Sequence, residues 1–259
     1  YDKELPPSGN LTLVQGIMRS CNPWFYHLGL DLYRQKGATY LSGWARDFGL
    51  GMHTNIGDVA EEVGQIVDPT TEGAAVQMGI GQGDMLVTPL QVANMVAAIG
   101  NGGTLYQPQI IEKITSVDGT VLQEFTPIVV REIPASEKTL DAVKLGMELV
   151  VRDEKGTAFR RFLGMSTPIY GKTGTATTSI EDPHSWFAGF TDANNPDKPD
   201  IAVAVILEYA GDGSAYAAPV FRRVIEAYFA GEVYTTYPWE WDIYVTRTPT
   251  SESNETPVP

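Results

Sequence analysis

An α/β fold is what the sequence predicts, with a helical lobe built by the first half of the chain and a sheet assembled near its end. Three observations carry that reading. Apolar residues recur at three- and four-residue steps from Leu11 to Gln35, the period of an amphipathic helix. Beyond Ile169 this period gives way to β-rich runs separated by polar or Pro-rich turns. Amphipathic helices opening at Ser136 and Ala218 lie on either side of those runs in the sequence.

In the first stretch Leu13, Val14, Ile17 and Met18, then Phe25, Leu28 and Leu32, mark the buried faces. Pro23 suits a first helical turn and disrupts an interior, so it divides the stretch into two helices, the second ending near Gly37. A third helix is expected over Tyr40 to Phe48, stopped by Gly49-Leu50-Gly51. Met52 to Gly73 has no clear period and reads as a long surface loop. Thr88-Pro89-Leu90-Gln91 is a helix start, with Thr88 as cap and Gln91 placed for a capping box. That helix runs to Ile99 and stops at Gly100-Asn101-Gly102-Gly103. An alternating run from Ile110 to Val117, an Asp118-Gly119 turn and a return through Val121 to Phe125 read as a hairpin. Ser136 opens a helix through Leu140, Val143, Leu149 and Val150.

Strands are expected at Ile169 to Thr177, Ser185 to Thr191 and Ile201 to Tyr209. The last is almost wholly apolar, as a central strand covered on both faces would be. A final helix, Ala218 to Phe229, closes the domain at residues 1–231, and residues 232–259 are expected to be a disordered tail rich in Thr, Ser and Pro.

Composition narrows the function. The net charge is −14, which argues against a nucleic-acid surface, because phosphate binding requires clustered Lys and Arg. Cys21 is the single cysteine, so no intramolecular disulfide can form. His27, His53 and His184 are scattered without metal-ligand spacing, and Gly79-Ile80-Gly81-Gln82-Gly83 lacks a phosphate-loop lysine.

Two short motifs carry chemistry: Ser20-Cys21-Asn22, between the first two helices, and Lys172-Thr173-Gly174-Thr175, within a strand. The second supplies a cation, two hydroxyls and backbone donors in one run, with a glycine that admits a substrate backbone closely. A match to S-x-N arises by chance in about half of chains this long, and one to K-T-G in roughly a few per cent. Standing alone, Ser20 and Asn22 would read as helix caps and Lys172 as a charged edge-strand residue.

The surrounding sequence decides between these readings. Met18-Arg19-Ser20-Cys21-Asn22-Pro23-Trp24-Phe25, Phe48-Gly49-Leu50-Gly51, Val87-Thr88-Pro89-Leu90-Gln91, Asn101-Gly102-Gly103, Gly171-Lys172-Thr173-Gly174-Thr175-Ala176 and His184-Ser185-Trp186-Phe187-Ala188-Gly189-Phe190 occur in order. Over about Leu11 to Gly231 the chain resembles the transpeptidase domain of class B penicillin-binding proteins. The resemblance implies a β-lactamase/transpeptidase-like fold, a largely antiparallel sheet flanked by helices beside a helical lobe. It implies catalytic roles for Ser20 as proton relay, Asn22 as partner of the substrate amide and Lys172 as the source of positive potential. Thr173, Gly174 and Thr175 would bind the terminal carboxylate of a D-alanyl-D-alanine stem peptide or a β-lactam, with the Thr175 N–H in the oxyanion hole. Trp186 and Phe187 are expected to be packing residues.

Peptidoglycan stem peptides, β-lactams and cell-wall synthesis proteins are the implied partners, at the extracytoplasmic face of a bacterial membrane. No cofactor or metal is implied. Contact with the membrane would come only through an N-terminal anchor outside these residues. One part of the family pattern is not met. The S-x-x-K motif supplies the acylated serine and its lysine base. Here the residues three before each lysine are Tyr33, Ile110, Ala135, Asp141, Arg152, Ile169 and Asn195, and Lys3 has none. The nucleophile is therefore expected upstream of Tyr1, in a longer parent, with this chain inactive alone. A D,D-carboxypeptidase, a β-lactam sensor and a non-catalytic binding module are the alternatives.

Overall fold

The computed structural model describes residues 9–57, 59–178 and 182–237. It divides into two compact units, one running to Arg222 and one beginning at Arg223. The first unit starts with three helices, α1 (Leu13–Met18), α2 (Asn22–Lys36) and α3 (Thr39–Asp47). Thr12 accepts from the Gln15 N–H while the Gln15 side chain accepts from Thr12, a reciprocal cap that starts α1. Pro23 occupies the first turn of α2, as expected.

The stretch expected to be one long loop holds more order. A two-residue strand β1 (Gln65–Ile66) pairs antiparallel with β2 (Met85–Leu86), and α4 (Glu72–Met78) lies between them. The sequence Glu72-Gly73-Ala74-Ala75 shows no apolar period, so the only local sign of α4 is its cap, Thr71, which accepts from the Ala74 N–H. The loop itself is held by carboxylates. Glu61 accepts from the Thr54 hydroxyl and from the N–H groups of Thr54 and Ile56, which keeps its pKa below the ordinary value. Asp68 accepts from the buried Ser42 hydroxyl and from Arg46.

Helix α5 (Pro89–Gly100) begins with the expected capping box. Gln91 does more than cap. Its buried amide also donates to Met52 O and Val63 O and accepts from Gly51 N–H, which closes the loop over the start of the helix. Leu50, Ile66 and Met78 form the core of this lobe.

Past α5, β3 (Thr104–Tyr106) pairs with β6 (Val129–Glu132), two strands too short to show in the sequence. Between them the expected hairpin forms, β4 (Lys113–Thr115) against β5 (Val121–Glu124). Ser136 caps α6 (Glu137–Arg152).

The sheet consists of β7 (Ile169–Ala176), β8 (His184–Thr191) and β9 (Ala202–Leu207), antiparallel in that order. The last strand was expected to be central. Among the described residues β9 is an edge strand, half-buried along its length, and β8 is central. A continuous apolar run reports covered faces and says nothing about ladder position. The central strand instead mixes the small Ser185 and Gly189 with the buried Phe187 and Phe190.

Helix α7 (Ala217–Ala230) spans the division between the units. Its Phe221 packs on Phe187 at 4.7 Å between ring centroids, and Phe162 joins them at 5.3 Å from Phe187. On the opposite face Tyr170 stacks on Phe190 at 4.9 Å, and Gly100 of α5 lies so close that a Cβ would meet the Phe190 ring at 2.9 Å. Helix α6 packs beside β7 and also against α1, where a Cβ on Gly146 would stand 2.8 Å from Ile17 Cβ. The expected arrangement of a sheet flanked by helices is thus present.

In the second unit Glu226 accepts from Tyr234 N–H, Thr235 N–H and the Thr235 hydroxyl. These bonds tie the first residues of the expected tail to α7. Residues 238–259 of that tail lie outside the described residues. No helix among the described residues is long and apolar enough to cross a membrane.

Candidate active site

Two elements bring the motifs together. The turn between α1 and α2 reverses the chain in three residues, with Ser20 N–H donating to Ile17 O and Cys21 N–H to Gly16 O. Ser20 adopts the left-handed conformation, φ 49°, a costly state for a residue with a Cβ. Strain of this kind persists where neighbouring contacts over-determine it. Here Trp24 is such a contact. It donates from its indole to Leu11 O at 3.0 Å and presses its ring on Gly16.

The second element is β7. Strand alternation places Lys172 on the face shared with Tyr170 and Gly174, and Thr173 and Thr175 on the other. Lys172 Nζ donates to Ser20 Oγ at 2.7 Å and to Thr173 O at 2.8 Å. The residue as a whole is half-buried, but its ammonium is enclosed. That burial pushes its pKa down to about 8, while the Asp212 carboxylate acts the other way. A lysine with such a pKa can give and take a proton near neutrality, and the hydroxyl it touches can pass that proton on.

The threonines are also fixed. Thr173 Oγ1 lies 2.8 Å from Thr157 Oγ1, and Thr175 Oγ1 accepts from Gly213 N–H at 3.3 Å. Thr175 is exposed. Gly174 faces Trp186, whose Cβ would meet an added Cβ at 3.0 Å. Gly213 is tighter still, since a Cβ there would lie 2.2 Å from Gly174 O and 2.4 Å from Trp186 O. The loop carrying it is organised by Asp212, which accepts from Ser214 and Ala215 N–H groups.

Of the residues singled out from sequence, Ser20, Lys172 and Thr173 form one connected group. Asn22 sits two residues after Ser20 at the exposed start of α2, and none of the bonds above reaches it. Phe187 is fully buried and Trp186 half-buried, as packing residues should be. His184 accepts from Tyr209 N–H through Nδ1, a structural use. Sequence reasoning missed Thr157, Asp212 and Gly213. The available signal was the turn-forming run Gly211-Asp212-Gly213-Ser214 after the last strand.

A serine on a helical lobe, met by a lysine from a strand of an antiparallel sheet, defines the class: the β-lactamase-like fold of penicillin-binding transpeptidase domains. The comparisons with known proteins agree. The family model of the penicillin binding protein transpeptidase domain matches residues 1–226, and the chain belongs to that family. It is 30% identical over 248 residues to peptidoglycan D,D-transpeptidase MrdA of Haemophilus influenzae, covering 85% of this chain and 36% of that protein. It is 34% identical over 234 residues to peptidoglycan D,D-transpeptidase PbpA of Mycobacterium tuberculosis, covering 86% of this chain and 45% of that one. Among solved structures, the imipenem acyl-enzyme complex of penicillin-binding protein A from M. tuberculosis superposes with TM-score 0.71 and 28% identity, over 86% of this chain and 50% of that one. The chain therefore spans less than half the length of these two curated relatives.

Proposed function

We propose that this chain forms the proton-relay and carboxylate-binding side of a peptidoglycan D,D-transpeptidase. The observation that carries the reading is the 2.7 Å bond from Lys172 to Ser20, which joins two motifs 152 residues apart. In the reaction a serine Oγ attacks the carbonyl carbon of the penultimate D-alanine. The bond to the terminal D-alanine nitrogen breaks, and that nitrogen takes up a proton through Ser20. A second stem-peptide amine then attacks the ester, giving the cross-link and returning the serine proton. Asn22 would hold the donor peptide's amide. Thr173 and Thr175 would bind its terminal carboxylate under the potential of Lys172, with Gly174 admitting the backbone and Thr175 N–H receiving the oxyanion. A β-lactam would enter the same path and stop at the ester.

The attacking serine of this reading belongs to an S-x-x-K segment outside these 259 residues, because no lysine here has a serine three positions before it. The reaction would take place at the extracytoplasmic face, where peptidoglycan is built. Intact mass after incubation with benzylpenicillin tests both parts. The chain alone should keep its mass, and the longer protein including the S-x-x-K segment should gain one adduct. A stoichiometric adduct on the chain alone would make Ser20 the nucleophile and overturn this division of roles. The absence of an adduct on the longer protein would remove the acyl-transfer reading.

A further inference from the structure

Thr157 stands between the two halves of the site and has no place in either motif. Its hydroxyl lies 2.8 Å from that of Thr173, and its N–H donates to Met18 O at 3.4 Å, two residues before Ser20. It thus touches both the strand that carries Lys172 and the helix end that leads into the Ser20 turn.

Its position is set by its neighbours. Gly156 N–H donates to Asp153 O at 2.8 Å, and a Cβ on Gly156 would lie 2.3 Å from Leu149 O and 2.4 Å from Val150 O. Ala158 is buried and donates to Val150 O at 3.0 Å. Both residues flanking Thr157 are therefore pinned to the end of α6, and the hydroxyl is held by a rigid frame.

A pair of hydroxyls at this distance shares one proton between the oxygens, and whichever oxygen accepts has its own proton left for another partner. We infer that Thr157 is a positioning residue that donates to Thr173 and so turns the Thr173 proton toward the carboxylate of a bound acyl donor. The inference rests on the acyl-transfer reading and deepens it: Thr157 is a determinant of preference for donors ending in a carboxylate. Without it the Thr173 hydroxyl rotates freely, and part of its hydrogen bonding to the anion is lost.

The test compares acylation rates of the longer protein by benzylpenicillin and by its methyl ester, which lacks the anion. Thr157→Val, close in shape but without the hydroxyl, should slow acylation by the acid about tenfold, the order expected of one hydrogen bond to a charged group. Acylation by the ester should not change, and Thr157→Ser should restore the rate with the acid. If the valine variant does not fold, Thr157→Ala is read in the same way. Equal slowing with acid and ester, or no slowing with the acid, would overturn the inference while leaving the acyl-transfer reading in place. Failure of the unsubstituted protein to take either adduct would remove that reading, and the inference with it.

Discussion

Lys172 and Ser20, 152 residues apart in sequence, are joined by a 2.7 Å hydrogen bond that closes strand β7 onto the turn between α1 and α2. The bond couples a buried cation to a backbone held in an unfavourable conformation. Each makes the other's position specific, and each has a measurable consequence.

The first concerns pH. With the pKa of Lys172 brought down to about 8, its positive charge fades as pH rises through that value. Acylation of the longer protein by benzylpenicillin should fall across the same range. In Lys172→Arg any remaining activity should lack this limb, since a guanidinium stays charged. A pH profile of the acylation rate constant decides the matter.

The same group makes a statement about stability. Between about 8 and the ordinary value of 10.5 the folded chain binds fewer protons at Lys172 than the unfolded chain. Its contribution therefore becomes more favourable as pH rises through that window, and the penalty for burying the charge is complete below it. Urea midpoints of the native protein and of Lys172→Met should converge or cross in favour of the native protein between pH 8 and 10.5. A constant difference would contradict the assignment.

Gly146 controls the site from a distance. A methyl group there meets Ile17 at 2.8 Å, so Gly146→Ala should push α1 away from α6 and displace the Ser20 turn. Overpacking of this sort costs about 1–3 kcal/mol. We expect a lowered urea midpoint together with slower β-lactam acylation.

Gln91 is the polar centre of the helical lobe. Gln91→Leu leaves the carbonyls of Met52 and Val63 and the N–H groups of Gly51 and Thr88 without this partner. The expected loss is about 3 kcal/mol, typical of a broken buried network. Limited proteolysis should show the first new cut between Met52 and Val63.

Much of the fold was legible because its signals are local. The Thr88, Pro89 and Gln91 capping box, Ser136 as a cap and the Asp118-Gly119 turn each announce an element within four residues. Helix α4 was not legible, because Gly73, Ala74 and Ala75 give no periodic pattern. The last strand was expected to be central, and among the described residues β9 pairs with β8 alone; its apolar run records which faces are covered and not which edges are paired. Ser20 and Lys172 were legible as a pair only through their resemblance to a family. Thr157 was not legible at all, and Asp212 showed only as part of a turn-forming run. A threonine and an aspartate are ordinary residues in a sequence, and their roles here come from partners 16 and 40 positions away, Thr173 and Lys172.

Gly213 adds a different kind of constraint. It lies in a turn, where variation is usually tolerated, yet the carbonyls of Gly174 and Trp186 leave no room even for a methyl group. A saturation library at this position, selected for growth on the longer protein, should return glycine alone. Changes to this loop are thus barred at residue 213 and diverted to neighbours such as Tyr216, which is 47% exposed.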